Sequence, residues 1–109
     1  MHSKSDPLSH VFAALADPTR RAILARLAQG EATVTQLAEP FAMSQPAISR
    51  HLRLLESAGL IMVRMEGKTR PRSLAKHGID PLYNWLGGLR EALERNYDRL
   101  DRVLKEETK

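Results

Sequence analysis

From Leu82 onward the apolar residues recur at Leu86, Leu89, Leu93, Tyr97, Leu100 and Leu104, and these spacings of 4, 3, 4, 4, 3 and 4 keep one face of a single helix apolar. Asp80 followed by Pro81 supplies a capping acceptor and a proline at the first helical position, so the helix is predicted over about 81–107. At 1.5 Å per residue it runs on the order of 40 Å, longer than a domain built from the rest of the chain can cover from one side. The fold is therefore constrained to a small body with one projecting amphipathic helix. Packing the whole stripe inside one subunit is the alternative, but the body offers too little surface, which favours a dimer interface with Trp85, Leu86, Leu89, Leu93 and Tyr97 as candidates. Gly87-Gly88 interrupts the stripe; each mid-helix glycine costs roughly 1 kcal/mol, pointing to a bend or to the close approach of another helix backbone.

Upstream, the chain is punctuated as a series of short helices. Leu8, Val11, Phe12 and Leu15 predict a first helix from Pro7 to Ala16. Asp17-Pro18 starts a second, with Ile23, Leu24 and Leu27 inward, running to about Gln29 and stopped by Gly30. Ala32-Thr33-Val34 is short and β-prone. A third helix is expected near Thr35, with Thr35 as cap and Leu37, Ala38 and Phe41 at helical spacing; Pro40 kinks it or ends it early. Ser44 caps a fourth helix with Ile48, Leu52 and Leu55 inward and Gly59 past its end. The third and fourth helices, joined by about four residues, make a helix-turn-helix candidate over about 35–58. Leu60–Met65 and Arg70–Ala75 then read as strands around a Glu66-Gly67-Lys68-Thr69 turn, a hairpin over about 60–76 whose second strand Pro71 assigns to an edge.

Charge is concentrated in this middle region. Residues 44–76 carry seven basic and two acidic side chains, while 1–43 are balanced and 77–109 are one charge negative, so the whole net excess of +4 has its origin in one stretch. A cationic surface on an otherwise neutral domain is the footprint of a polyanion site. A recognition helix presents its first turns to the base edges of the major groove. With Ile48 inward, those turns of the fourth helix expose Gln45, Pro46, Ser49, Arg50 and then Arg53. Gln pairs with adenine, Arg with guanine, Ser with base or phosphate, and a proline ring can touch a thymine methyl. Ser44 is most simply an N-cap, and Arg53, one turn further on, suits a phosphate better than a base. Lys68 and Arg70 at the hairpin tip suit the minor groove, where an Arg responds to groove width and potential. Arg64 and Arg72 read equally as cross-strand or solvated charges. Thr35 and Gln36 are expected to offer free backbone N–H groups to a phosphate.

These residues carry a resemblance. Phe12-Ala13-Ala14-Leu15-Ala16-Asp17-Pro18-Thr19-Arg20-Arg21, Leu37-Ala38-Glu39-Pro40-Phe41, Met43-Ser44-Gln45-Pro46-Ala47-Ile48-Ser49-Arg50-His51-Leu52, Leu55, Ala58-Gly59-Leu60 and the Gly67 hairpin together resemble the ArsR family of bacterial winged-helix repressors over residues 8–76. The resemblance implies a mainly α fold with a small β-hairpin, a winged helix-turn-helix with long N- and C-terminal dimerisation helices, in one domain spanning 1–109. It implies a homodimer in which Leu8, Val11 and Phe12 of the first helix join the last helix at the interface. It also implies double-stranded DNA as partner, in a near-palindromic operator bound to occlude a promoter. The family's metal-sensing members carry a Cys-rich third helix or His and carboxylate ligands on the last helix; here no cysteine is present and residues 80–109 contain no His. No metal is therefore expected at those sites and no cofactor is expected, while the sequence leaves open whether a small-molecule effector binds.

Other classes are disfavoured by what the chain lacks. It has no Gly-rich phosphate loop, no nucleophile elbow and no paired carboxylate and His arrangement for catalysis, so it reads as a non-enzyme. His2, His10, His51 and His77 stand alone rather than at metal-ligand spacing. The longest apolar run, Val11–Ala16, is far short of a membrane span, and the first seven residues, which are expected to fray, form no secretory signal; the expected compartment is the cytoplasm. A winged-helix protein-docking module, recruiting a partner through the last helix, is the competing function.

Overall fold

A computed structural model describes residues 6–107; most of the fraying segment and His2 lie outside that range. Five helices and one hairpin follow in the order α1 (Pro7–Leu15), α2 (Pro18–Leu27), α3 (Val34–Ala38), α4 (Gln45–Ser57), β1 (Ile61–Val63), β2 (Arg72–Leu74) and α5 (Lys76–Glu107). Side-chain caps set the starts of α1, α2 and α4 as they do that of α3: the Asp6 carboxylate accepts from Leu8 N–H, Asp17 from Arg20 N–H and Ser44 Oγ from Ala47 N–H. In α1, α2 and α4 the cap stands just ahead of a proline, whose missing donor costs nothing there. The first helix is only nine residues, shorter than the family resemblance led one to expect.

The core sits where α2, α3, α4 and the hairpin meet. Ile23, Leu37, Ile48, Leu52, Leu55 and Leu60 are almost wholly withdrawn from water, each contributing roughly 1.5–3 kcal/mol of burial. β1 and β2 pair antiparallel in the register Ile61↔Leu74, Met62↔Ser73 and Val63↔Arg72, and a further Glu66↔Thr69 bridge closes the tip. Gly67 takes φ +61° there while Lys68 keeps a negative φ, the pattern of a II′ hairpin turn. The second strand is not an edge at Arg72, contrary to the expectation from Pro71. Arg72 exchanges both backbone hydrogen bonds with Ala32, at 2.8 and 3.0 Å, so the β-prone segment before α3 makes a third, one-residue rung. Pro71 lies just outside β2 and needs to supply only its carbonyl, to Arg64 N–H.

α5 also differs from expectation: it starts at Lys76, and Pro81 lies inside it rather than opening it. Packing explains the early start. Gly78 lies directly against the backbone of Gly59, the left-handed residue (φ +80°) past the end of α4, and Ile79 and Leu82 pack on the core. Lys76 and Asp80 form an i,i+4 ion pair at 2.7 Å over the same turn. Beyond Trp85, which still meets Phe12, the helix leaves the body. The molecule measures 71 × 35 × 24 Å, and Gly87 and Gly88 meet nothing within 4 Å in their own chain and leave α5 unbroken.

Candidate nucleic-acid interface

The helix-turn-helix is built by α3 packing beside α4. Thr33, not Thr35, caps α3: its hydroxyl accepts from Gln36 N–H, and the Gln36 amide oxygen accepts from Thr33 N–H. The Gln36 backbone N–H and amide oxygen are thereby engaged in the cap, a correction to the free backbone N–H expected of it, while its Nε2 donors are not part of that cap. Thr35 instead lies one residue inside the helix, exposed, and its hydroxyl accepts from Gln45 Nε2 at 3.1 Å. Gln45 is the first residue of α4, so this bond ties the leading side chain of the recognition helix to α3.

Gln45, Pro46, Arg50 and Arg53 are exposed and Ser49 is half-buried, while Ile48, Leu52 and Leu55 of the same helix are buried. Ser44 is engaged as the cap, as its simplest reading has it. Lys68 and Arg70 are exposed on the wing. Arg64 is not free: it bonds both Glu31 and Glu66, and these carboxylates, Glu31 first, hold its guanidinium still more firmly charged. The Glu66 carboxylate at the hairpin turn and the Glu31 carboxylate of the α2–α3 loop are thus paired with Arg64, and Lys68, Arg70 and Arg72 have no acidic partner among the described residues.

One polar junction was not legible in the sequence. Arg20 donates from Nε and Nη2 to the carbonyls of Ala14 and Ala13, closing the end of α1, and its Nη1 lies 3.3 Å from His51 Nδ1 on α4. His51 also stands 3.9 Å from the Asp17 carboxylate. The Arg20 N–H bond, with His51 and Arg20 nearby, holds the Asp17 carboxyl below its ordinary range, and partial burial opposes it. A polar junction therefore fastens the α1–α2 turn to the middle of the recognition helix. Among the described residues no group of three or more His, Asp or Glu side chains could hold a metal.

The projecting helix presents the predicted stripe to solvent. Trp85, Leu86, Leu89, Leu93 and Tyr97 are each 45–63% exposed, and Leu100, Val103 and Leu104 continue the row. Phe12, also exposed, meets Trp85 edge-to-face with ring centroids 5.4 Å apart, and Leu8 is half-buried beside it in sequence. Val11 is only 2% exposed inside the chain's own core, so it cannot present surface to a second subunit. That removes it from the interface set.

Comparison with known proteins agrees with this geometry. A helix-turn-helix domain family matches residues 15–64. The transcriptional repressor SdpR of Bacillus subtilis is 38% identical over 79 residues, covering 72% of this chain and 88% of that protein. The crystal structure of the ArsR family transcriptional regulator RHA00566 superposes with a TM-score of 0.73 at 41% identity, over 81% of this chain and 97% of the other. A homodimeric winged helix-turn-helix DNA-binding domain from Mycobacterium bovis gives a TM-score of 0.66 at 30% identity, over 82% of each chain.

Proposed function

The chain belongs to the ArsR family of winged helix-turn-helix transcriptional regulators, and on that premise we propose that it is a homodimeric repressor that reads a near-palindromic operator in double-stranded DNA and occludes a promoter. The observation that carries this reading is the solvent-facing set Gln45, Pro46, Ser49, Arg50 and Arg53 at the start of α4, beside wing cations that no carboxylate neutralises. Gln45, Ser49 and Arg50 contact base edges; Arg53 and Thr35 contact phosphates; Lys68 and Arg70 enter the minor groove. The whole chain acts as one winged-helix unit, in which α5 with Leu8 and Phe12 of α1 supplies the dimer contact and no step is catalytic.

Selection from a random duplex library, followed by titration of the winner and a scrambled duplex at about 50 and 200 mM salt, tests it. The expected winner is a palindrome with half-sites about one helical turn apart, bound at least roughly a thousandfold tighter than the scramble. Equal, weak, salt-sensitive binding of both duplexes overturns it, and leaves the exposed face of α5 as a docking surface for another protein.

A further inference from the structure

Between the start of α3 and the wing lies a cleft of about 320 Å³, lined by Thr33, Thr35, Lys68, Thr69, Arg70 and Arg72 together with Val34. The Ala32–Arg72 rung creates it by holding the segment that leads into α3 alongside β2. Its lining contains three cations and three hydroxyls and no carboxylate, because Arg64 gathers Glu31 and Glu66 to itself. Like charges sharing one cleft repel, an arrangement that an anion between them converts into attraction.

Arg72 is the fixed member of the set. Its backbone is bonded to Ala32 in both directions, and its Nη1 donates to the Arg70 carbonyl at 2.8 Å. Its Nε is buried and has no hydrogen-bond partner in the protein. A buried donor on a charged guanidinium calls for an acceptor, and anionic oxygens are the strongest. Thr35 adds a second feature. Its oxygen already accepts from Gln45 Nε2, which leaves its O–H proton to donate in another direction.

We propose that this cleft seats one backbone phosphate of the bound duplex, anchored by Arg72, and that Thr35 relays the seated phosphate to Gln45. The phosphate oxygen accepts from Thr35 O–H while Thr35 Oγ accepts from Gln45 Nε2, fixing the amide so that its oxygen and second N–H face a base edge. One phosphate contact then sets the geometry of one base contact, and Arg72 and Thr35 act as positioning residues for readout rather than as general charge. The inference rests on the DNA-reading role proposed above.

The test uses the selected operator with single methylphosphonate substitutions, each of which neutralises one phosphate, bound by the full-length wild type and by Arg72→Gln and Thr35→Val. For the wild type, one position per half-site is expected to cost about tenfold in Kd, and that cost is expected to fall below about twofold in Arg72→Gln. Thr35→Val is expected to weaken scrambled DNA by no more than about twofold, the loss of one phosphate hydrogen bond, and to relax preference at the base under Gln45 well beyond that uniform loss. If Arg72→Gln does not fold, the same scan with Arg70→Gln and Lys68→Gln reads the seat from its rim. An operator bound tightly with no position coupled to Arg72 or the rim overturns the seat while sparing the proposed function; no operator at all overturns the proposed function itself. Inorganic phosphate at constant ionic strength is the other arm: a Tm rise lost in Arg72→Gln, without any methylphosphonate coupling, assigns the cleft to a soluble anion and overturns the relay.

Discussion

Gly78 is where one methyl group does most damage. A Cβ built there stands 1.7 Å from the Gly59 carbonyl oxygen and 2.3 Å from its carbon, and neither backbone can yield without moving α4 or α5. Gly78→Ala is expected to cost about 3 kcal/mol, a fall in Tm on the order of 15 °C for a domain of this size. Gly88→Ala, which meets nothing within 4 Å in its own chain, should stabilise α5 by roughly 1 kcal/mol through helix propensity. Differential scanning calorimetry of the two variants checks both signs. A second residue-scale expectation concerns Asp17, whose carboxyl is held below its ordinary range chiefly by Arg20 N–H and secondarily by His51 and Arg20. A depressed folded-state pKa means that its contribution is present above the ordinary carboxylate range and is lost as pH falls through the folded value. Asp17→Asn keeps an acceptor for the cap and removes the titration. Its Tm should decline less between about pH 5 and pH 2 than that of the wild type, and an unchanged decline would assign the acid sensitivity to Asp6, whose carboxyl is also held below its ordinary range.

Among the elements, those with both a start signal and a period were readable from the chain: Ser44 with Ile48, Leu52, Leu55 and Gly59 gave α4 its ends and its buried face, and the structure has them so. Where packing overrides local chemistry, reading failed. Asp80-Pro81 is a sound start signal, but the Gly59–Gly78 contact and the burial of Ile79 recruit the five residues before Pro81 into α5. Thr33 and Thr35 are equivalent by composition, and the choice of cap fell to the Gln three residues after Thr33, a capping box that the sequence does contain. The Ala32 rung, and with it the cleft around Arg72, could not be read because an isolated bridge depends on contacts forty residues apart. At the candidate site the exposed face of α4 was legible by subtraction of its core stripe, whereas the Thr35–Gln45 bond and the Arg20–His51 junction required coordinates. The division of labour among elements gives a prediction. Arg50→Ala on α4 should cost about 1–3 kcal/mol on the selected operator and little on scrambled DNA, whereas Lys68→Gln on the wing should weaken both alike and lower the salt slope by about one. Fluorescence anisotropy on the two duplexes at several salt concentrations separates these outcomes, and equal losses for Arg50→Ala would place it on phosphate rather than base.

At the scale of the whole molecule, shape carries the argument. The radius of gyration is 19.4 Å, against about 13 Å for a compact domain of similar length. The excess is α5, whose outer row from Leu86 to Leu104 gains nothing from its own body. In the proposed homodimer a second copy of the chain supplies the missing cover and also the second reading head, which turns two weak half-site contacts into one strong one through effective concentration, a gain on the order of 10²–10⁴. Any signal that releases such a protein from DNA must act by favouring one spacing of the two heads over another, because only a difference in affinity between two dimer states couples a ligand to the operator. The Arg20–His51–Asp17 junction joins the end of α1, whose Phe12 touches Trp85 of α5, to α4. The dimer's contribution can be removed without disturbing the body, since Leu89 and Leu93 are about half exposed in the single chain. Leu89→Glu with Leu93→Glu should leave the circular dichroism of the body intact, halve the mass seen by sedimentation equilibrium, and reduce operator affinity by about 10²-fold or more while scrambled-DNA binding changes far less. A double variant that remains dimeric would move the interface off this stretch of α5, and one that becomes monomeric with full operator affinity would mean that a single reading head suffices.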